Sequence, residues 1–495
     1  MARDDANSFD RRRLLGAGAL TLGALNVGLP DLALAQPAAA VEPGGKKLAQ
    51  RIAEYIAGFD LKAVPPEVID RARTAFIDTI GVMLAGSHEE VAHIAIEMVR
   101  AEASAPQATV VGSSLRASAQ LAALANGVAA HAMDYDLTYI SGQAIAALVP
   151  AILPLAEATG ASADDMVAAY IIGAEVGGRV TRANFKASSV GGWHTTGMVG
   201  VIAATAAAAR LLKLPVGATR NALGISTSLA SGISGNFATM TKPLHAGNAA
   251  RNGVMAALLG GKGFTASPIA FEAPAGYFNT FGRGLDLSFD PFDDLGRRYD
   301  LIEARFDLKG FPCGGLTHTA IEASLDLRGK LGTRLSDIKG IHCFVTRNAG
   351  QRAGTQYPAT VENAKFSVSY LVAYSLIHGA PKIAAFTVKA LEDERVKALA
   401  RTVTASVDPE LGPGTDSSPA RVRVTLADGQ VLEERKDYAI GSARNPMTAA
   451  QIEDKFFDCA AQTVDQETAK KILAILKALP SGGNLNALWP LLRKA

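Results

Sequence analysis

Residues 239–253 read TMTKPLHAGNAARNG and place several polar side chains inside a region that is otherwise rich in Ala, Gly, Val and Leu. Pro243 suits the first turn of a helix, because its missing N–H would have no partner there. The apolar run at 254–259 and the glycine pair at 260–261 predict the body and the end of that helix. The stretch therefore predicts a helix that begins beside Lys242.

The polar groups of this helix predict a binding site for a carboxylate. A helix N-terminus presents free N–H groups and a partial positive charge, which favour anions, and the ammonium of Lys242 adds to that charge. His245 lies in the first turn, and Asn248 and Arg251 follow it in two steps of three residues, near the same face. We therefore expect these residues to bind substrate. The alternative is a helix start whose polar groups are solvated or capped.

The first 35 residues are typical of an export signal. Arg11, Arg12 and Arg13 precede an uncharged run rich in Gly and Ala, and small residues at 33–35 suit a cleavage site. This pattern predicts a twin-arginine signal peptide over residues 1–35 and a periplasmic location for the mature protein. Because the apolar run is short and glycine-rich for a spanning helix, no stable membrane insertion is expected after cleavage.

Length and composition limit the classes of protein that fit. After removal of the signal, 460 residues remain (495 minus 35). This length is greater than one ordinary hydrophobic core supports, so two domains are expected. The formal net charge is only +2 and no polybasic tail is present, which argues against nucleic acid as a partner. The three cysteines show no CxxC or CxxH spacing, so neither a metal signature nor a disulfide framework is predicted.

Hydrophobic periodicity divides the chain into regions typical of helices and a region that also contains strands. Apolar residues recur at helical spacing from about residue 46 to 263, and helices return after residue 446. Between them, four runs predict strands, with Asp428–Gly429 as a hairpin turn before the last: Ile338–Thr346, Val403–Val407, Ala420–Leu426 and Val431–Lys436. The fold class is therefore mainly α, with a large all-helical domain (46–306 and 437–495) and a smaller α+β lid domain (307–436).

A second polar cluster lies at residues 126–139, NGVAAHAMDYDLTY. His131, Asp134 and Thr138 are spaced by three and four, so one helical face would carry all three. A carboxylate beside an imidazole can fix its tautomer and raise its basicity. The alternatives are a helix C-terminus with ordinary capping acids and, less favoured without a further ligand group, a metal site built on HxxDxD.

Three shorter stretches add candidate residues. His194 lies in GGWHTTG, at a predicted helix start. Lys309, Cys313 and His318 lie in KGFPCGGLTH, where no sequence feature lowers the pKa of Cys313, so a packing thiol is favoured over a nucleophile. Tyr370 lies in AKFSVSY, where a helical tyrosine is more often a core residue than a catalytic one.

Together these stretches resemble the MmgE/PrpD family, which includes 2-methylcitrate dehydratases and cis-aconitate decarboxylases. The resemblance covers essentially the whole mature chain and implies a large helical domain, a smaller α+β lid, an active site between them and a homodimer. It rests on five motifs: NGxxAHxxDxDxT at Asn126–Thr138, GWH at Gly192–His194, TKPLHxGNAAxxG at Thr241–Gly253, KxFPC at Lys309–Cys313 and AKFSxxY at Ala364–Tyr370.

Carried over by position, the resemblance implies a catalytic pocket, which we combine with a predicted group of substrate-binding residues. The catalytic set is Asp134, Thr138, His194, Lys242, Lys309 and Tyr370, and the binding set is His131, His245, Asn248, Arg251 and His318. No metal or cofactor is predicted. Two departures from the family pattern matter. Leu137 replaces an Asp, and residues 141–145 contain no His or Pro where the family has His-Pro. Gly314 stands where the decarboxylases carry a His.

The chemistry that this set supports is proton transfer next to a carboxylate. Lys242 and Lys309 would stabilise charge on the carboxylate oxygens, and His194 or Asp134 would act as the base. Tyr370 or Thr138 would assist the leaving group. This predicts a dehydratase-like lyase acting on a small di- or tricarboxylate. An epimerase or isomerase, a decarboxylase and a non-catalytic periplasmic binding protein remain alternatives.

Overall fold

The computed structural model describes residues 47–140, 142–184, 187, 191–285, 287–414, 417–482 and 485–494. The predicted signal peptide and Ser141 lie outside the described residues. Among the helices of the described residues, none has the length and apolar character needed to span a bilayer.

The described chain from residue 48 to 303 is built mainly of helices, as the periodicity predicts. They are α1 (Leu48–Gly58), α2 (Pro66–Gly86), α3 (Glu90–Ala101), α4 (Ala119–Ala132), α5 (Leu148–Thr159), α6 (Ala163–Ala183), α7 (Thr195–Met198), α8 (Gly200–Leu211), α9 (Val216–Leu229), α10 (Thr241–Gly261), α11 (Tyr277–Phe281) and α12 (Asp300–Glu303). Two short strands, β1 (Ala108–Thr109) and β2 (Arg116–Ala117), pair antiparallel before α4.

Glycines let α4 and α10 cross at close range. A Cβ on Gly127 would lie 2.6 Å from the Cα of Gly247, and a Cβ on Gly247 would lie 2.4 Å from the carbonyl oxygen of Leu124. Any larger side chain would push the two backbones apart. His131 lies one turn after Gly127 in α4, and Lys242 lies in the first turn of α10, before Gly247. The crossing therefore places His131 beside Lys242.

The α+β part contains a four-stranded mixed sheet with the order β6-β5-β7-β8. Its strands are β5 (Ile338–Val345), β6 (Val403–Val407), β7 (Ala420–Leu426) and β8 (Val431–Lys436). β5 runs parallel to β6 and antiparallel to β7, which pairs antiparallel with β8. Asp428–Gly429 forms the hairpin turn, with Gly429 at φ +85°. The strand predictions are thus confirmed, β5 ending one residue earlier than predicted.

The helices of the α+β part pack on the sheet or against one another, in cores separate from that of the first helices. They are α13 (His318–Leu331), α14 (Arg347–Arg352), α15 (Val361–Ala364), α16 (Val368–His378), α17 (Val388–Leu391) and α18 (Glu394–Ala400). Leu327 of α13 and Val372 of α16 pack on Val422 of β7. The predicted fold class, mainly α with a smaller α+β part, is confirmed.

The C-terminal helices return to the first core. α19 (Ala449–Ala460) and α20 (Gln466–Lys477) contact α2, and α21 (Leu485–Leu491) follows them. A second connection is the short ladder between β3 (Thr138–Tyr139) and β4 (Phe306–Asp307), in which Thr138 pairs with Asp307. This ladder brings the segment after Asp134 beside the segment before Lys309. The domain boundaries at 306/307 and 436/437 stay a prediction.

Candidate active site

The carboxylate of Asp134 is the centre of a buried polar cluster. Lys309 donates from Nζ to Asp134 Oδ1 at 2.6 Å and to the Asp134 carbonyl oxygen at 2.7 Å. Lys242 Nζ lies 3.1 Å from the same Oδ1, and Gln143 Nε2 donates to it at 2.9 Å. The structure therefore brings together the two lysines and the aspartate that the sequence predicted as catalytic.

The predicted helical face for His131, Asp134 and Thr138 is wrong. α4 ends at Ala132, Asp134 adopts φ +52°, and Thr138 lies in β3. Aspartate tolerates the left-handed region better than most residues, because its short polar side chain can hydrogen-bond locally. The turn at Asp134 sends the chain away from the helix axis. Thr138 makes no side-chain hydrogen bond within the part of the chain that the structure describes.

Electrostatics keep Asp134 ionised. Burial alone would raise the pKa of this carboxyl, but the ammonium groups of Lys242 and Lys309 outweigh burial and hold the pKa well below its ordinary value. A carboxylate so strongly paired is a poor proton acceptor. The geometry therefore favours a histidine over Asp134 as the general base and gives Asp134 the role of orienting both lysines.

His131 and Asp136 form a buried imidazole–carboxylate pair. Nδ1 of His131 lies 2.9 Å from Asp136 Oδ1, and Nε2 lies 3.2 Å from Lys242 Nζ. Because an ionised carboxylate only accepts hydrogen bonds, we assign the ring hydrogen to Nδ1, which leaves the Nε2 lone pair facing Lys242. Burial lowers the pKa of His131 although Asp136 opposes this shift. The ring is therefore neutral at pH 7 and able to accept a proton.

Lys242 lies between two aromatic rings, with Nζ 5.9 Å from the ring centroids of both Phe237 and Phe366. Burial lowers the pKa of Lys242, whereas the charge of Asp134 opposes this shift. Apolar walls strengthen the interaction of the ammonium with any anion that reaches it, because little water competes.

His194 and His245 form a second imidazole pair beside this cluster. Their Nδ1 atoms lie 2.8 Å apart, and the His194 ring centroid lies 5.8 Å from that of His131. Burial and the Lys242 ammonium hold the pKa of His194 well below its ordinary value. Burial, with His131 and Lys242, lowers the pKa of His245 to about 4. Both rings are neutral at pH 7, so His194 also satisfies the charge requirement for a base.

Tyr370 is not part of this cluster. Its hydroxyl donates to the carbonyl of Ala385, and its ring contacts Tyr357 and Tyr374. The side chain is buried in the apolar core around α16, and burial raises its pKa. The contacts of Tyr370 thus lie in the packing around α16, and its catalytic role stays a prediction.

Three predicted binding residues have other partners. Arg251 donates from Nη2 to Asn248 Oδ1 at 2.7 Å, and Asn248 donates to Ser231 Oγ at 3.4 Å. These two residues therefore bind each other and a neighbouring loop. His318 donates from Nε2 to the Cys313 carbonyl at 3.3 Å. Burial, with the Lys309 charge, lowers the pKa of His318 to about 3. Burial raises the pKa of the Cys313 thiol to about 12, in agreement with a packing thiol.

One group of side chains could hold a metal ion. His131, Asp134 and Asp136 each offer a ligand atom, and these atoms lie within 4.8 Å of one another. The ammonium groups of Lys242 and Lys309 already bind the Asp134 carboxylate, so a divalent cation there would face two positive charges. The predicted absence of a metal stays a prediction, which a chelator tests below.

A cleft leads from solvent to Lys242 and Asp134. Its lining includes the buried His131 and three acidic side chains that are partly or fully exposed: Glu89, Glu90 and Glu362. Lys365 also lines the cleft, but its Nζ donates to the Ala132 carbonyl at 2.9 Å and lies 3.5 Å from Glu89. The cleft therefore combines a lysine-rich inner end with an acidic opening.

Comparison with known proteins finds family matches in both parts of the chain. Residues 50–290 match the MmgE/PrpD N-terminal domain, and residues 311–480 match the MmgE/PrpD C-terminal domain. The chain belongs to the MmgE/PrpD family. The resemblance that the sequence motifs indicated is thereby confirmed.

Relatives within the MmgE/PrpD family include several cis-aconitate decarboxylases. The chain is 28% identical over 462 residues to cis-aconitate decarboxylase of Homo sapiens, covering 90% of this chain and 95% of that protein. It is 27% identical over 463 residues to the enzyme of Mus musculus, with 90% and 94% coverage. It is 26% identical over 455 residues to the enzyme of Aspergillus terreus, with 87% and 92% coverage. The family and these relatives identify the chain as an enzyme of the lyase class.

The cleft explains one departure from the MmgE/PrpD motifs. A Cβ on Gly314 would lie 2.8 Å from Phe366 Cε1 and 2.9 Å from Cδ1. The Phe366 ring thus fills the space that a side chain at 314 would need. A side chain at position 314 would therefore require the Phe366 ring to move.

Three residues that this MmgE/PrpD site uses were missed from the sequence. Gln143 binds Asp134 because the chain turns back after β3, where Tyr139 N donates to the Gly142 carbonyl at 2.7 Å. A single glutamine carries no sequence signal for such a role. Asp136 stands in the HxxDxD pattern, which does not by itself indicate its pairing with His131. Lys365 stands in AKFSxxY, where only the structure reveals its contact with α4.

Proposed function

We propose that the chain is a dehydratase-like lyase that acts on a small di- or tricarboxylate by proton transfer at the carbon α to a carboxylate. The observation that carries the proposal is the convergence of Lys242 and Lys309 on Asp134 beside the neutral imidazole of His131. Two ammonium groups and a neutral base within one buried cluster are what carbanion chemistry next to a carboxylate requires.

The steps follow from this arrangement. A substrate carboxylate binds at Lys242, at the start of α10, where the helix N-terminus also favours an anion. The imidazole of His131 or His194 takes the α-proton, and the charge that develops on the carboxylate oxygens is stabilised by the ammonium groups. The bond to the β-hydroxyl then breaks, the leaving oxygen takes a proton from an imidazolium, and water and an alkene are released.

Two other reactions that pass through a carbanion remain candidates: loss of CO2, which forms the carbanion directly and is followed by protonation, and epimerisation. The names of the relatives support loss of CO2 from cis-aconitate. Return of a proton to the opposite face would give an epimerase, and the two imidazoles on separate elements favour this candidate because each can serve one face. A binding protein without turnover is the fourth candidate. We keep dehydration first, because Gly314 stands where the family resemblance implies a histidine in the decarboxylases.

The deciding experiment incubates the purified protein with citrate, 2-methylcitrate and cis-aconitate in D2O and follows products by NMR, with and without EDTA. We expect water loss or its reversal and no effect of EDTA. CO2 release from cis-aconitate would assign a decarboxylase, and deuterium exchange without net conversion would assign an epimerase. Thermal stabilisation without any turnover would assign a binding protein. Loss of activity with EDTA would contradict the metal-free site.

The acidic opening predicts how substrate charge affects binding. In a double variant Glu90→Gln/Glu362→Gln, the KM for a trianionic substrate should fall about threefold at low salt, since two repulsive charges are removed. The difference should shrink in 0.5 M salt, and kcat should not change, because neither side chain reaches Lys242. If turnover is absent, the dissociation constant of cis-aconitate by calorimetry replaces KM.

The matched control is Glu97→Gln. This residue lies on the exposed side of α3 and pairs with Arg100, outside the cleft. It should leave KM unchanged at both salt concentrations. An equal effect of the control, or no effect of the double variant, would show that the opening does not sense substrate charge.

We also propose that the protein is exported to the periplasm by the twin-arginine route and forms a homodimer, as the sequence predicts. Arg11 and Arg12 support the first proposal and the family resemblance supports the second. Neither nucleic acid nor a membrane is proposed as a partner. Cell fractionation of an Arg11→Lys/Arg12→Lys variant tests export, and light scattering tests the dimer.

A further inference from the structure

Tyr135 stands between the two acidic residues of the site and is held at three points. Lys455 of α19 donates from Nζ to the Tyr135 carbonyl at 2.9 Å, and the same Nζ lies 3.9 Å from the centre of the Tyr135 ring. The hydroxyl of Tyr135 donates to the Gly310 carbonyl at 3.2 Å. Tyr135 thus contacts α19 on one side and the segment that carries Lys309 on the other.

Lys455 is itself part of a buried ion pair. Its Nζ lies 2.6 Å from Asp78 Oδ1 of α2, and the two side chains are 5% and 0% exposed. Burial raises the pKa of Asp78, and the Lys455 ammonium opposes this shift. Such a pair contributes little net stability, because desolvation of both charges offsets their attraction. Its contacts indicate another use for the pair.

The peptide group held by Lys455 joins Tyr135 to Asp136. Rotation of that peptide would turn Asp136 away from His131 Nδ1 and, through the neighbouring peptide, move Asp134 away from Lys242 and Lys309. The ring of Tyr135 prevents such rotation from one side, since it lies against Lys455 and its hydroxyl is fixed on Gly310. The hydrogen bonds of Asp134 and Asp136 therefore depend on a loop that Lys455 fixes.

We infer that Lys455 and Asp78 are positioning residues of the active site, which act through Tyr135 to hold Asp134, Asp136 and Lys309 in register. This inference goes beyond the residues of the family motifs, and its activity readout rests on the proposed function. Displacement of a catalytic group by about 1 Å can cost about 10²-fold in rate. The pair therefore affects kcat more than substrate binding.

The test uses Lys455→Met/Asp78→Asn, which removes both buried charges and leaves neither uncompensated, with Lys455→Arg as the conservative variant. Hydrogen exchange by mass spectrometry reads residues 133–139 and 306–313, with 420–436 as an internal comparison. We expect exchange at least about tenfold faster in the first two segments of the double variant and unchanged in the third. In Lys455→Arg, the guanidinium still reaches Asp78 and the Tyr135 carbonyl, so exchange should stay close to wild type.

Activity gives the second readout, on whichever substrate the panel identifies. The double variant should lose about 10²-fold in kcat with little change in KM. The variant Lys455→Arg should keep most of the wild-type kcat. Lys477→Met, which removes the surface pair with Glu453, is the matched control and should change neither readout. Wild-type exchange in the double variant, or an increase spread evenly over all three segments, would overturn the inference. Because exchange needs no substrate, failure of the proposed function would not be confused with failure of this inference.

Discussion

Replacement of Lys242 by alanine is expected to lower kcat/KM by about 10²–10³-fold, the loss typical of removing one preorganised group that stabilises developing negative charge. The protein should still fold, because Asp134 keeps its ion pair with Lys309 after the change. The loss should lie mainly in kcat, since the charge on the carboxylate oxygens is greater in the transition state than in the bound substrate.

The matched control for this variant is Lys262→Ala, at the exposed end of the same helix α10. It should retain wild-type kinetics. Steady-state kinetics, with circular dichroism to verify folding, measure both variants. Wild-type turnover in Lys242→Ala on an identified substrate would remove Lys242 from the mechanism and, with it, the proposed carbanion chemistry.

Replacement of Arg179 by methionine is expected to lower the free energy of unfolding by about 3–5 kcal/mol, because it removes the guanidinium that balances the charges of the buried Glu175 and Asp300. Arg179 is fully buried in α6, and its Nη1 lies 2.7 Å from Glu175 Oε2 and 2.6 Å from Asp300 Oδ2. Its Nη2 donates to the Arg298 carbonyl at 2.7 Å. This network joins α6 to the segment that leads into β4 and onward to Lys309.

The pH dependence of this loss has a definite sign. In the wild type, burial raises the pKa of Glu175 to about 7, with Arg179 opposing. Because the folded pKa lies above the unfolded value, the folded state holds the extra proton, and this contribution to stability is lost as pH rises through 7. Without Arg179 the pKa rises further. The variant should therefore be less impaired at pH 5.5 than at pH 8.

Urea unfolding at both pH values measures this effect. Arg182→Met serves as the control, because Arg182 also pairs with Asp300 but its side chain is 40% exposed, and it should cost under about 1 kcal/mol. Adding Glu175→Gln and Asp300→Asn to Arg179→Met should recover part of the loss by removing the orphaned charges. A loss below 1 kcal/mol, or a loss independent of pH, would contradict this account.

Local sequence signals predicted the secondary structure well. The four strands of the sheet follow from the alternation of apolar residues, and the hairpin at Asp428–Gly429 follows from a glycine at positive φ. Both signals come from neighbouring residues. The helix start at Lys242 and Pro243 was predicted for the same reason. The polar motifs also identified the centre of the site, Asp134 with Lys242 and Lys309.

The errors arise where long-range packing decides. The spacing of His131, Asp134 and Thr138 suits a helical face, but a single left-handed residue at Asp134 ends that pattern. The sequence around Tyr370 fits a core position as well as a catalytic one. Only the structure shows that its hydroxyl donates a hydrogen bond to the Ala385 carbonyl. Spacing could not reveal the contacts of Gln143 or Lys455, because their partners are fixed by turns and helix crossings rather than by neighbours.

The contact between Lys455 and Tyr135 joins residues 320 positions apart. During synthesis, the ribosome must therefore release α19 before the loop at 134–136 gains its final support. Chains shortened before this helix would keep all the catalytic side chains and yet present them on an unsupported loop, with apolar surface of α2 uncovered. Such chains expose the features that chaperones and proteases recognise. Because Lys455 lies late in the sequence, the active site can gain its final geometry only after α19 has been synthesised.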